Sequence, residues 1–88
     1  MIKKTDFKMN ITILLFGILR DIIGESRLNK AVKLEATLEN LRLDMAREFP
    51  ELNKYKNYSI AVNETYAESD YIIKENDVVA LIPPVSGG

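Results

Sequence analysis

None of the 88 residues is a cysteine, a histidine or a tryptophan. Without cysteine there is no disulfide, no thiolate metal ligand and no cysteine nucleophile. Without histidine there is no imidazole ligand and no Ser-His or Cys-His couple. Charge of one sign is also missing: twelve basic residues face thirteen acidic ones, a net charge of -1. Such a balance gives no general attraction to nucleic acid or to anionic lipid. Long hydrophobic runs are absent as well. The nearly apolar stretch from Ile11 to Leu19 is interrupted by Thr12 and ends at Arg20, well short of the roughly 20 residues a membrane helix needs. Lys3, Lys4 and Lys8 before it imitate a signal peptide, but no small-residue cleavage site follows. No nucleic-acid or membrane partner is expected, and a soluble cytoplasmic protein is.

What is present fits one small domain, since 47% of the residues are apolar and 28% charged. Met9 to Phe16 has the branched and aromatic character of a strand buried on much of both faces. After Gly17, Ile18, Leu19, Ile22 and Ile23 recur at helical spacing, and Gly24 can close that short helix in a left-handed conformation. The lysine-bearing run Leu28 to Leu34 suits an edge strand. Thr37 caps a longer helix whose inner face is Leu38, Leu41, Met45 and Phe49, and Pro50 stops it. Tyr58 to Val62 alternates as a strand, Asn63-Glu64 makes a turn, and Tyr66 lies in a short strand. Glu75-Asn76-Asp77 turns the chain into the central-strand candidate Val78 to Ile82. Lys54, Tyr55, Lys56 and Tyr58 superficially suggest a nucleic-acid platform, but beside Glu51 in a near-neutral chain they read as a solvated loop.

The order is strand, short helix, strand, long helix, strand, short strand, strand. The compact solution is an α+β, ubiquitin-like β-grasp: a mixed sheet with helices on one face, the first and last strands parallel at its centre. Residues 9 to 82 make the domain, residues 1 to 8 an extension dispensable to it, and residues 83 to 88 an extended tail. The tail is Pro83-Pro84-Val85-Ser86-Gly87-Gly88. Its prolines restrict the backbone near the domain and favour extension, whereas Gly87 and Gly88 are slim enough for a narrow channel. At about 3.3 Å per extended residue, Val85 to Gly88 reaches on the order of 13 Å beyond the prolines.

Several blocks then carry a resemblance: Leu15-Phe16-Gly17-Ile18-Leu19-Arg20 leading to Ile23-Gly24, Ala61-Val62-Asn63-Glu64-Thr65, and Asn76-Asp77-Val78-Val79-Ala80 running into the Gly-Gly tail. From Met9 to Gly88 the chain resembles the MoaD family, the small, sulfur-carrier subunit of molybdopterin synthase, within the ubiquitin-like MoaD/ThiS superfamily. The resemblance implies a part in molybdenum cofactor biosynthesis. An E1-like (MoeB-like) enzyme would use ATP and magnesium to adenylate the Gly88 carboxylate, and a sulfur donor would convert it to a thiocarboxylate. The tail would then enter a MoaE-like large subunit and deliver sulfur to cyclic pyranopterin monophosphate. The chain would serve as the sulfur-donor subunit of a heterotetrameric enzyme whose main pocket lies on the large subunit. No permanently bound cofactor or metal is implied.

By the same resemblance Pro83, Pro84, Val85, Ser86 and Gly87 would thread into the partner channel, with serine where the family often carries threonine. Phe16, Tyr66 and Ile82 match positions that meet the large subunit, Ile82 standing where phenylalanine is common. Phe16 also suits the core, and Arg20 can be a solvated helix arginine or a partner contact. A related carrier for thiamine or tRNA thiolation, or a protein modifier joined to lysines, shares the activation step. An interaction domain with an unmodified tail belongs to a different class altogether.

Overall fold

A computed structural model describes residues 7–55 and 57–84. Five strands and two α-helices follow the expected order: β1 Lys8–Leu15, α1 Gly17–Ile23, β2 Arg27–Lys33, α2 Leu38–Glu48, β3 Ser59–Val62, β4 Thr65–Tyr66 and β5 Val78–Ile82. A 3-10 helix at Pro50–Lys54, which the sequence pattern did not suggest, follows α2. Pro50 therefore ends one helix and opens another, a position where its missing N–H costs nothing.

The sheet order is β2-β1-β5-β3-β4. β1 and β5 run parallel at its centre, and β1–β2, β3–β5 and β3–β4 pair antiparallel. This is the mixed α+β, ubiquitin-like β-grasp, with the helices on one face. Alternation decides which face they cover. Met9, Ile11, Ile13 and Leu15 of β1 are buried with Val79 and Leu81 of β5 and Ile60 and Val62 of β3. Against them pack Leu19 of α1 and Leu38, Leu41 and Met45 of α2. Each such fully buried aliphatic side chain contributes about 2 kcal/mol.

α2 starts as its sequence dictates. The Thr37 hydroxyl accepts from the Asn40 N–H at 3.2 Å, while the Asn40 side chain accepts from the Thr37 N–H at 2.9 Å. The remaining first-turn donors find carbonyls in the segment after β4: Leu38 N–H donates to Tyr71 and Glu39 N–H to Ser69. Donors that a helix start leaves unpaired thus tie that loop to the domain. At the other end of α2, Glu48 receives Lys30 of β2 at 3.1 Å. Tyr58, expected at the start of β3 and also within a solvated loop, is buried just before the strand. Arg42 of α2 lies 4.5 Å from its ring centroid and donates to its carbonyl at 3.0 Å. Burial raises the Tyr58 hydroxyl above its ordinary value against the opposing Arg42 charge. No helix among the described residues is long and apolar enough to cross a membrane.

Candidate functional site: the tail exit and the open sheet face

The tail leaves from β5, so the site is built around the end of that strand. β1 and β5 are parallel and in register from Thr12–Val78 to Leu15–Leu81. The turn from β1 into α1 therefore stands beside the exit. That turn needs Gly17 for two reasons. Its φ is +55°, a left-handed value that costs residues with a Cβ, and a Cβ built there would stand 3.1 Å from Cγ of Pro83. Gly17 and Pro83 are thus a fitted pair at the base of the tail. Pro83 is half-buried and Pro84 exposed, so the chain passes from packed to free within one step.

On the sheet face away from the helices, the register produces a row across all five strands. Arg27 of β2 stands opposite Leu14 of β1, Leu14 opposite Ala80 of β5, Ala80 opposite Ala61 of β3, and Ala61 opposite Tyr66 of β4. Residues opposite one another in register share a face. Tyr66 is 71% exposed, while Leu14 and Ala80 are half-buried. Ile82, two residues after Ala80, shares that face, stands opposite Ser59 and is half-buried. The row therefore has a low apolar centre, a projecting aromatic ring at one end and Ile82 leading toward the exit.

The turns behind the face are locked by one buried carboxylate. Asp77 is only 5% exposed. Its Oδ1 accepts from Asn63 Nδ2 at 3.0 Å, and its Oδ2 accepts from the Tyr71 hydroxyl at 2.9 Å and the Lys74 N–H at 2.8 Å. Asn63 in turn accepts from the Val78 N–H at 3.0 Å. Asn63 and Glu64 form the two-residue β3–β4 turn with φ of +51° and +73°, the paired positive values such a hairpin requires. Partial burial and the neighbouring Asp77 charge raise the Tyr71 hydroxyl above its ordinary value.

With this geometry in hand, likenesses to known proteins acquire a meaning. The ThiS family model matches residues 13–88. The chain belongs to the ThiS family. Over 80 residues, 86% of this chain and 93% of the relative, it is 38% identical to the molybdopterin synthase sulfur carrier subunit of Dictyostelium discoideum. Among solved structures it resembles a chain in the protein-protein complex of subunits 1 and 2 of molybdopterin-converting factor from Helicobacter pylori. There the TM-score is 0.64 at 29% identity, covering 91% of this chain and 100% of that one. SAMP1 from Haloferax volcanii shares the fold at a TM-score of 0.78 and 24% identity, with 90% and 99% of the two chains covered. The β-grasp of this ThiS-family chain is thus the sulfur-carrier form of the ubiquitin-like fold.

Within this ThiS-family domain the expected site residues fall in separate places. Phe16 follows β1 as the residue capping the start of α1 and is 47% exposed, so it is not core. The β1 pattern that included it runs one residue too far, because Gly17 already turns the backbone away from the sheet. Arg20 lies exposed on α1 with a loose 4.0 Å approach to Asp21. Tyr66 and Ile82 share the open face, and Pro83 packs at the exit. Val85, Ser86, Gly87 and Gly88 lie outside the described residues, as do residues 1–6 and Lys56. Gly17 and Asp77 are the two residues that sequence reasoning missed as parts of the site. Their signal was positional: a glycine between strand and helix, and an Asn and an Asp at facing turns. Among the described residues no group of three or more acidic side chains is placed to hold a metal ion.

Proposed function

We propose that this protein is the sulfur-carrier subunit of a molybdopterin synthase. The observation that carries the reading is the 38% identity to the Dictyostelium discoideum sulfur carrier subunit, which extends over 86% of this chain. It is supported by a tail base held against Gly17 and by an open face bearing Tyr66 and Ile82 beside it.

The chemistry belongs to the Gly88 carboxylate. A carboxylate resists nucleophiles because its charge opposes them and neither oxygen is a good leaving group. An E1-like enzyme, using ATP and magnesium, joins that oxygen to the α-phosphorus and releases pyrophosphate. Sulfur at the sulfide level, supplied by a donor as hydrosulfide, then attacks the acyl carbon; AMP departs with the activated oxygen and the proton passes to water, leaving a thiocarboxylate. Its sulfur forms a bond to a side-chain carbon of cyclic pyranopterin monophosphate in the large subunit as the carbon–oxygen bond there breaks, the oxygen leaving with phosphate or as water; a second water then cleaves the acyl–sulfur bond, and the carboxylate returns for the next cycle. Two deliveries complete the dithiolene. This chain supplies the reactive end, the Pro83-Pro84 spacer, the slim Val85 to Gly87 lead and a docking surface of Phe16, Arg20, Tyr66 and Ile82. The partner supplies the pocket. Residues 9 to 82 act as the folded unit in this scheme, and the work takes place in the cytoplasm.

The ThiS family match favours one second reading, a related carrier for thiamine or tRNA thiolation or a modifier joined to lysines. Both readings share adenylation and differ in the recipient. Incubation with the E1-like enzyme, ATP and a sulfur donor, followed by intact mass measurement, should show one oxygen replaced by sulfur. Removing Gly88 should abolish that change. A chain whose mass never changes under these conditions would be an interaction domain with an unmodified tail.

A further inference from the structure

The outer side of α2 carries one apolar side chain that the core does not use. Leu43 stands midway along Leu38–Glu48 and is 51% exposed. At about 100° per residue it points roughly 160° away from the buried Leu41 and Met45, straight out from the domain. One exposed leucine carries no message by itself. This one forms a wall of a hollow of about 250 Å³ whose lining also includes Ala46, Leu52 and Tyr58. Ala46, the smallest side chain on the helix, leaves that space beside the projecting Leu43. Glu39 and Arg47, one turn before and one turn after Leu43, are both exposed and lie about 40° to either side of it. Glu39 takes part in no ion pair among the described residues, and Arg47 approaches Asp44 at 3.4 Å with its side chain still 77% exposed.

A knob beside a hollow, with opposite charges at equal distances on either side, fits a copy of itself. A two-fold contact requires that match, since residue i meets j and j meets i. When two α2 helices pack antiparallel about Leu43, Glu39 of each comes level with Arg47 of the other, within reach at the about 8–10 Å spacing of packed helices. A helical leucine leans toward the helix N-terminus, so the two Leu43 side chains pass one another, each over the other copy's Ala46. Parallel packing would instead set Glu39 beside Glu39 and Arg47 beside Arg47, a repulsion that selects the antiparallel sense. We propose that two copies of this chain associate through α2, antiparallel about a two-fold axis at Leu43. Each Leu43 enters the hollow over the other copy's Ala46, and each Glu39 pairs with the other copy's Arg47. Because α2 packs on the side of the sheet away from the open face, the contact leaves Tyr66, Ile82 and the Pro83 exit uncovered in both copies. The inference is therefore independent of the sulfur-carrier reading.

The full chain of 10.0 kDa is followed by sedimentation equilibrium from about 10 μM to about 1 mM, the range expected for a contact below about 1,200 Å². Its mean mass should rise toward that of two chains. Leu43→Asp should weaken the association at least about tenfold, because it leaves a charge at the apolar centre. Glu39→Arg and Arg47→Glu each set like charges opposite one another twice across the axis and should each weaken it about fivefold. Mixed in equal amounts, these two variants should associate as tightly as the unaltered chain, since every reversed charge then meets its opposite. Ile82→Asp, on the open face, should leave self-association unchanged. Circular dichroism establishes that each variant keeps the fold, and the mixing experiment reads the contact from two chains altered only at exposed positions. A mean mass of one chain throughout the concentration range overturns the proposal. Self-association that survives Leu43→Asp, or that Ile82→Asp abolishes instead, overturns it as well, and so does a mixture of the two charge variants that associates no more tightly than either alone.

Discussion

Two residues set the tail and the turns that surround it. Gly17 answers to backbone geometry and to Pro83 at once. Gly17→Ala should destabilise the domain by about 1–2 kcal/mol, the cost of a left-handed conformation for an L side chain. It should also slow sulfur transfer by shifting the tail base. Thermal melting and single-turnover transfer measure the two effects separately, and unchanged transfer would remove Gly17 from the site. Asp77 holds three donors from three segments. Asp77→Ala leaves Asn63, Tyr71 and Lys74 without that acceptor, and urea unfolding should show a loss of about 3 kcal/mol. The Tyr71 hydroxyl gives this network a pH dependence. Its folded value is raised above the ordinary 10.0, so its contribution is complete below the unfolded value and is lost as pH rises through the folded one. Tyr71→Phe should therefore flatten part of the alkaline fall in stability. Tyr58, raised in the same direction, accounts for part of the remainder.

At the scale of elements, α2 shows what a local pattern can announce. Its inner face, its Thr37 cap and its stop at Pro50 follow from spacing and residue type alone; Leu38, Leu41, Met45, the cap and the stop stand where the sequence places them, while Phe49 falls just past Glu48 as the closing residue and is half-buried. Thr37→Ala should cost about 1 kcal/mol in thermal or denaturant unfolding. A change near zero would mean that the loop carbonyls of Ser69 and Tyr71 hold the helix start unaided. β1 and β5 were equally legible, because runs such as Ile11 to Leu15 and Val78 to Ile82 have few other places to go. What stayed hidden depends on register between strands. Nothing in the local order of Arg27, Leu14, Ala80, Ala61 and Tyr66 says that they align; only the β2-β1-β5-β3-β4 pairing does. Asp77 was legible as a turn residue but not as an anchor, since its partners Asn63 and Tyr71 come from other turns. Phe16 misled because hydrophobic character continues past the last residue that pairs, while Gly17 has already redirected the chain.

For the whole molecule, the proposed function divides the labour between a folded surface and a reactive end. Leu14, Ala80, Ala61, Tyr66 and Ile82 form a face that the helices do not cover, and β5 leads from that face into the prolines. Ile82→Asp should place an unpaired charge in the apolar contact and weaken binding of the large subunit by about 2 kcal/mol while the domain stays folded. Unchanged affinity would remove Ile82 from the docking surface. In the proposed function the lack of cysteine and histidine leaves the terminal acyl group to carry the sulfur and the partners to supply the activating chemistry. The most direct test of that claim starts from the thiocarboxylated protein, purified and mixed with the large subunit and cyclic pyranopterin monophosphate, with molybdopterin measured as product. The account predicts molybdopterin in proportion to the thiocarboxylate consumed, and none from the protein lacking Gly88. Thiocarboxylate that persists with the large subunit bound and no molybdopterin formed would contradict it.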